Sequence, residues 1–138
     1  MMYWHDHDID QETLTMAKMD GTEAEQFKVF INHPHIRGLS YSKDLHQLFW
    51  ISMDTNIQTW DFKTKSLSDM YVSKKPLRSL DVSTSNSRIF FSIFNSPNSQ
   101  IVELKPLRNN ETKILIKNLK GSVDGLKVHD SNDQEGSR

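Results

Sequence analysis

Apolar residues in this chain come in short runs, each about the length of a strand, divided by polar turns. Three of the runs contain an aromatic dipeptide: Tyr3-Trp4, Phe49-Trp50 and Phe90-Phe91, spaced 46 and then 41 residues apart. Each dipeptide opens the same succession. A second run begins at Leu14, Ile57 or Ile101, and after a polar turn a third covers Phe27 to Ile31, Met70 to Val72 or Lys113 to Ile116. A short link then leads to a run opened by Gly38-Leu39, Ser79-Leu80 or Gly125-Leu126. β-Branched and aromatic enrichment between turn residues predicts strands. In the best-preserved copy they are Gly38 to Tyr41, Gln47 to Ser52, Asn56 to Phe62 and Ser68 to Val72.

The turns have their own chemistry. Asp20-Gly21 is a hairpin signal, because glycine accepts positive φ without steric cost. Ser96-Pro97-Asn98-Ser99 and Arg108-Asn109-Asn110 mark two more turns. Gln11 to Met19 could be drawn as an amphipathic helix, but Leu14-Thr15-Met16-Ala17-Lys18-Met19 alternates, which favours a strand. Leu48-Phe49-Trp50-Ile51 and Ile89-Phe90-Phe91 are apolar on consecutive residues, as strands buried on both faces are.

Four short strands per period of roughly 40–45 residues is the pattern of a β-propeller blade. The expectation is an all-β chain of about three four-stranded antiparallel blades, with repeats at about 1–35, 36–76 and 77–122, a closing strand at 123–130 and a disordered tail or linker at 132–138. The first copy has its aromatic strand without a preceding Gly-Leu strand, and Met2 stands where Leu48 and Ile89 stand later. The start is therefore read as a truncation of a longer propeller.

Composition narrows the classes. The chain has 138 residues, 36% hydrophobic and 25% charged, with a formal net charge of -1. That is a globular balance, and it argues against nucleic acid as a partner. There is no cysteine, hence no disulfide and no thiolate metal site within these residues. No apolar run nears the roughly 20 residues that span a bilayer, and Met1-Met2-Tyr3-Trp4-His5-Asp6 has no secretory-signal pattern.

Candidate chemistry is sparse. His5-Asp6-His7-Asp8 with Asp10 has metal-ligand composition, but no distant partner motif completes it. It is read as a solvated strand end, with no metal and no cofactor. No cysteine nucleophile, Gly-x-Ser-x-Gly turn or phosphate loop occurs, so the reading is non-catalytic. Trp60 is assigned to packing rather than to an exposed contact. Asn110-Glu111-Thr112 fits the N-glycosylation acceptor pattern, in a turn where an acceptor must lie. Six histidines are present, at 5, 7, 33, 35, 46 and 129, and histidine changes charge between neutral and endosomal pH.

Tyr3-Trp4-His5-Asp6 resembles the Tyr-Trp-Thr-Asp signature of the six-bladed propellers of low-density lipoprotein receptor type. Phe49-Trp50-Ile51-Ser52 and Phe90-Phe91-Ser92-Ile93 look like degenerate copies. Ile36-Arg37-Gly38-Leu39-Ser40-Tyr41 resembles the strand before the signature, and Met19-Asp20-Gly21-Thr22 its hairpin turn. Asn118 to His129 is similar to the closing stretch before an epidermal-growth-factor-like module. The resemblance runs from Tyr3 to about Gln134. It implies a partial six-bladed propeller, the C-terminal half, in which Tyr3, Trp4, Asp6, Phe49, Trp50, Phe90 and Phe91 are structural. The signature Asp survives only at Asp6; Ser52 and Ile93 replace it.

The resemblance also implies a function: a non-catalytic extracellular binding or scaffold module of an endocytic receptor, on the outer side of the membrane and without direct membrane contact. Its partners would be a protein or lipoprotein ligand, the rest of the propeller and adjacent epidermal-growth-factor-like modules. His33 and His35, flanking Pro34, would be the candidates for pH-dependent release. Wnt coreceptors, sevenless-like receptors and nidogen-like matrix proteins carry the same domain, and an intracellular propeller scaffold is the reading from another class.

Overall fold

The computed structural model describes residues 2–7, 12–17, 22, 25–29, 36–83 and 86–129. Among them every regular element is a strand, apart from one short 3-10 turn at Pro106–Arg108. The chain divides into two compact units, residues 1–36 and 37–138.

The first unit is a three-stranded antiparallel meander of β1 (Met2–His7), β2 (Glu12–Ala17) and β3 (Glu25–Val29). The alternating stretch after Gln11 is a strand, as its period of two dictates, and Tyr3 and Trp4 pair with Met16 and Thr15.

The second unit contains two four-stranded antiparallel meanders. One comprises β4 (Ile36–Ser42), β5 (Gln47–Ser52), β6 (Asn56–Asp61) and β7 (Ser66–Val72). The other comprises β8 (Leu77–Val82), β9 (Ile89–Asn95), β10 (Asn98–Lys105) and β11 (Glu111–Lys120). The β5–β6 hairpin closes through Met53 and Asp54 at φ 55° and 61°. Consecutive positive φ values give a hairpin turn the twist its strands require. Asn109 and Asn110, at φ 54° and 58°, do the same before β11, where asparagine tolerates the left-handed region.

The aromatic dipeptides occupy equivalent strands. Phe49-Trp50 lies in β5 against Thr59 and Gln58, and Phe90-Phe91 in β9 against Glu103 and Val102. Between the two sheets Phe49, Ile51 and Ile57 meet Leu77, Leu80, Val82, Ile89, Phe91, Val102 and Leu104 in one core. Each fully buried side chain of this size contributes on the order of 1.5–3 kcal/mol.

Leu48, Phe49, Trp50 and Ile51 are all fully buried, so both faces of β5 are covered. The second aromatic strand differs. Ile89 and Phe91 are fully buried in the core, but Phe90 on the opposite face is only half-buried. On that face the chain after β11 contacts Ser79, Asp81 and Ser92. β11 itself is exposed along almost its whole length, including Ile114, Leu115 and Ile116.

Candidate functional site

The second unit brings its two sheets together at the starts of β4 and β8. Gly38 makes this possible. Its φ is +68°, and a Cβ there would lie 3.2 Å from Leu80 Cβ and 3.4 Å from the Leu80 amide nitrogen. Any other residue would hold the strands apart or take a strained backbone.

A third segment joins them. After β11, Gly121 turns the chain at φ +83°, its N–H donating to the Pro97 carbonyl at 2.8 Å and its carbonyl accepting from the Ser99 hydroxyl. Residues 122–129 then run along β8 without forming a ladder of their own. The Val123 carbonyl lies 3.0 Å from Ser79 Oγ and 2.7 Å from Ser92 Oγ, and the two hydroxyls are 2.7 Å apart. Two hydroxyl protons thus serve three contacts, while the Ser79 N–H donates to Ser92 Oγ at 3.1 Å. Farther along, the Val128 N–H donates to Asp81 Oδ2 at 2.6 Å.

These contacts place Arg37-Gly38, Arg78-Ser79-Leu80 and Asp124-Gly125-Leu126 around one cavity of about 430 Å³. The three stretches hold corresponding places in the repeat, 41 and 46 residues apart. Arg37 Nη2 pairs with Asp54 Oδ1 at 2.9 Å. The guanidinium carbon of Arg78 instead sits 5.5 Å from the centroid of Phe94. Its Nε is buried without a hydrogen-bond acceptor, an arrangement that ordinarily costs about 1–3 kcal/mol. Arg78 also borders a second cavity of about 320 Å³, with Lys75, Pro76, Phe94, Asn95 and Ser96. The first cavity thus carries charges of both signs, and the second sets Lys75 and Arg78 beside Phe94.

The residues singled out in the sequence lie elsewhere. Tyr3, Trp4 and Asp6 are in β1, and the other four aromatic positions in β5 and β9. His33 and His35 lie outside the described residues, as do Asp8, Asp10 and the tail from 130 on. His5 and His7 are on β1, and among the described residues no three potential ligands gather as a metal site. Asn110 is exposed in the turn before β11. Trp60 is half-buried, paired across β6 with Leu48 and Leu67. His46, at φ 55°, has Nδ1 2.7 Å from the Tyr41 hydroxyl and its ring 5.1 Å from Phe62. Burial raises the Tyr41 pKa above its ordinary value of 10.0. No helix among the described residues is long and apolar enough to cross a membrane.

Sequence reasoning passed over Arg37 and Arg78. The signal was there, since both precede a strand-opening Gly-Leu or Ser-Leu at the same offset as the aromatic dipeptides.

No protein-family model matches this chain, and no curated protein does. Solved structures do. A chain of a nidogen/laminin complex is 14% identical with a TM-score of 0.62, over 83% of this chain and 43% of that one. A luciferin-regenerating enzyme is 14% identical with a TM-score of 0.54, over 80% of this chain and 37% of its own. This chain therefore spans less than half the length of either neighbour. At such identity the likeness establishes the fold alone: this is part of a β-propeller.

Proposed function

We propose that this chain is part of a non-catalytic extracellular binding module, in an endocytic receptor of the lipoprotein-receptor type. The observation that carries the reading is the cavity where the starts of β4 and β8 meet the segment after β11, bordered by Arg37, Arg78 and Asp124 on a propeller scaffold. Such a surface offers fixed charges and backbone edges to a folded partner, and charge complementarity of this kind sets orientation and encounter rate. The Tyr-Trp-His-Asp start supports the receptor branch, and the exposed Asn110 acceptor fits a secreted glycoprotein. His33 and His35 are the residues proposed to weaken binding when they become charged.

The second reading is a matrix or signalling protein with the same domain, favoured by the nidogen/laminin neighbour. One experiment separates the two. The immobilised chain is exposed to low-density lipoprotein particles and to a laminin fragment, at pH 7.4 and at pH 5.5. The receptor reading expects saturable lipoprotein binding that weakens at the lower pH, with the pH effect lost in a His33→Gln, His35→Gln variant. Binding to laminin alone favours the matrix reading, and binding to neither refutes both.

A further inference from the structure

Arg37 has a carboxylate built in beside it: Asp54 Oδ1 lies 2.9 Å from Nη2, an ion-pair contact without hydrogen-bond geometry. Counted 41 residues on, Arg78 corresponds to Arg37 and Asn95 to Asp54, with Asp54 in the β5–β6 turn and Asn95 at the end of β9. An amide carries no charge, so the second arginine has lost the counter-ion that the first retains. Arg78 and Asn95 still border one cavity, about 320 Å³ in volume, together with Lys75 and Phe94. Among the described residues its wall carries two cations and no carboxylate. The Phe94 ring centroid lies 5.5 Å from the guanidinium carbon. The Nε–H is buried and meets no acceptor. Asp124, on the wall of the neighbouring cavity, accepts from the Ser122 hydroxyl, and no described residue forms an ion pair with Arg78.

We propose that this cavity binds a carboxylate presented by an acidic segment of a protein partner, in the place that Asp54 fills for Arg37. The inference rests on the binding-module reading and adds the chemistry of the bound group. A guanidinium fork matches a carboxylate with two parallel N–H donors. Lys75 adds positive potential at the rim.

The test follows the arginine Nε–H resonances of the 15N-labelled chain by NMR. The probe is a blocked Gly-Glu-Glu-Gly peptide, with Gly-Gln-Gln-Gly as control. The Arg78 resonance is expected to move saturably with the glutamate peptide and not with the glutamine one. Asn95→Asp supplies the carboxylate internally and is expected to weaken peptide binding by about tenfold or more. Asp54→Asn frees Arg37, whose resonance should then respond as that of Arg78 does. Asn95 is exposed, so its substitution leaves the core untouched. An Arg78 resonance that stays fixed, equal binding of both peptides, or unchanged affinity in Asn95→Asp would overturn the proposal. Lipoprotein binding without a peptide response counts against the carboxylate site alone; a peptide response without lipoprotein or laminin binding counts against the module's proposed role alone.

Discussion

Replacing Gly38 by alanine tests the close approach of β4 to β8 directly. The new Cβ would meet Leu80 Cβ at 3.2 Å, Leu80 N at 3.4 Å and Ile51 Cδ1 at 3.7 Å. The first two atoms belong to the strand itself and cannot swing aside, and Ile51 is fully buried. The backbone adds its own cost. At φ +68° an L-residue loses roughly 1–2 kcal/mol relative to glycine. Overpacking in a filled region costs about 1–3 kcal/mol, and the low end applies because a few tenths of an ångström would relieve the contact. The sum is about 2–3 kcal/mol. With a urea m-value of roughly 1–2 kcal/mol/M, the midpoint should fall by about 1–3 M at unchanged m. Urea titration followed by fluorescence reads this out, since Trp50 is fully buried. Gly125→Ala is the matched control: nothing lies within 4 Å of its Cβ. That variant should be neutral or gain up to about 1 kcal/mol through its unfolded state. Equal midpoints for the two variants would refute the close-approach argument.

Three further outcomes are expected. Ser92→Ala removes the acceptor of the buried Ser79 N–H, so stability should drop by about 1–3 kcal/mol; hydrogen exchange at the Ser79 amide should accelerate, and unchanged protection there would contradict the hydroxyl triangle. Ser52 Oγ is buried without a partner, and Ser52→Ala should be neutral or stabilise by up to about 1 kcal/mol in urea titration; a clear loss would show that the hydroxyl has a role. Burial raises the Tyr41 pKa, so the folded state keeps its phenolic proton where the unfolded chain releases it. Stability should therefore be level below about pH 9 and fall as pH rises past the unfolded value near 10, with absorbance at 295 nm showing one tyrosine that ionises late. A stability profile flat through pH 11 would contradict it.

The strands were legible because their signals are local. Phe49-Trp50 and Phe90-Phe91 sit in equivalent strands, and the turn at Asn109-Asn110 falls where the polar residues predict it. Burial was legible only in part. Leu48 to Ile51 and Ile89 to Phe91 read alike as apolar runs, yet Phe90 is half-exposed, because what covers a face depends on a neighbour far along the chain. The cavities were harder still. They depend on Arg37 and Arg78, which look like ordinary surface residues until the fold puts one beside Asp54 and the other against Phe94. The contrast between Asp54 and Asn95 shows only when the copies are laid over one another. The aromatic dipeptides invited that comparison, but attention to apolar positions passed over the charged ones.

β11 ends its sheet, and among the described strands none pairs with its outer edge, which would invite another chain to add a strand. Three consecutive apolar side chains, Ile114 to Ile116, make that edge adhesive, yet Lys113 and Lys117 bracket them and Lys120 closes the strand. The pairing with β10 is also irregular between Ser99 and Val102, which leaves a warped template. Lysine charge on such an edge opposes strand addition. Acetylating those lysines would turn a guarded margin into a seed for fibrous aggregation.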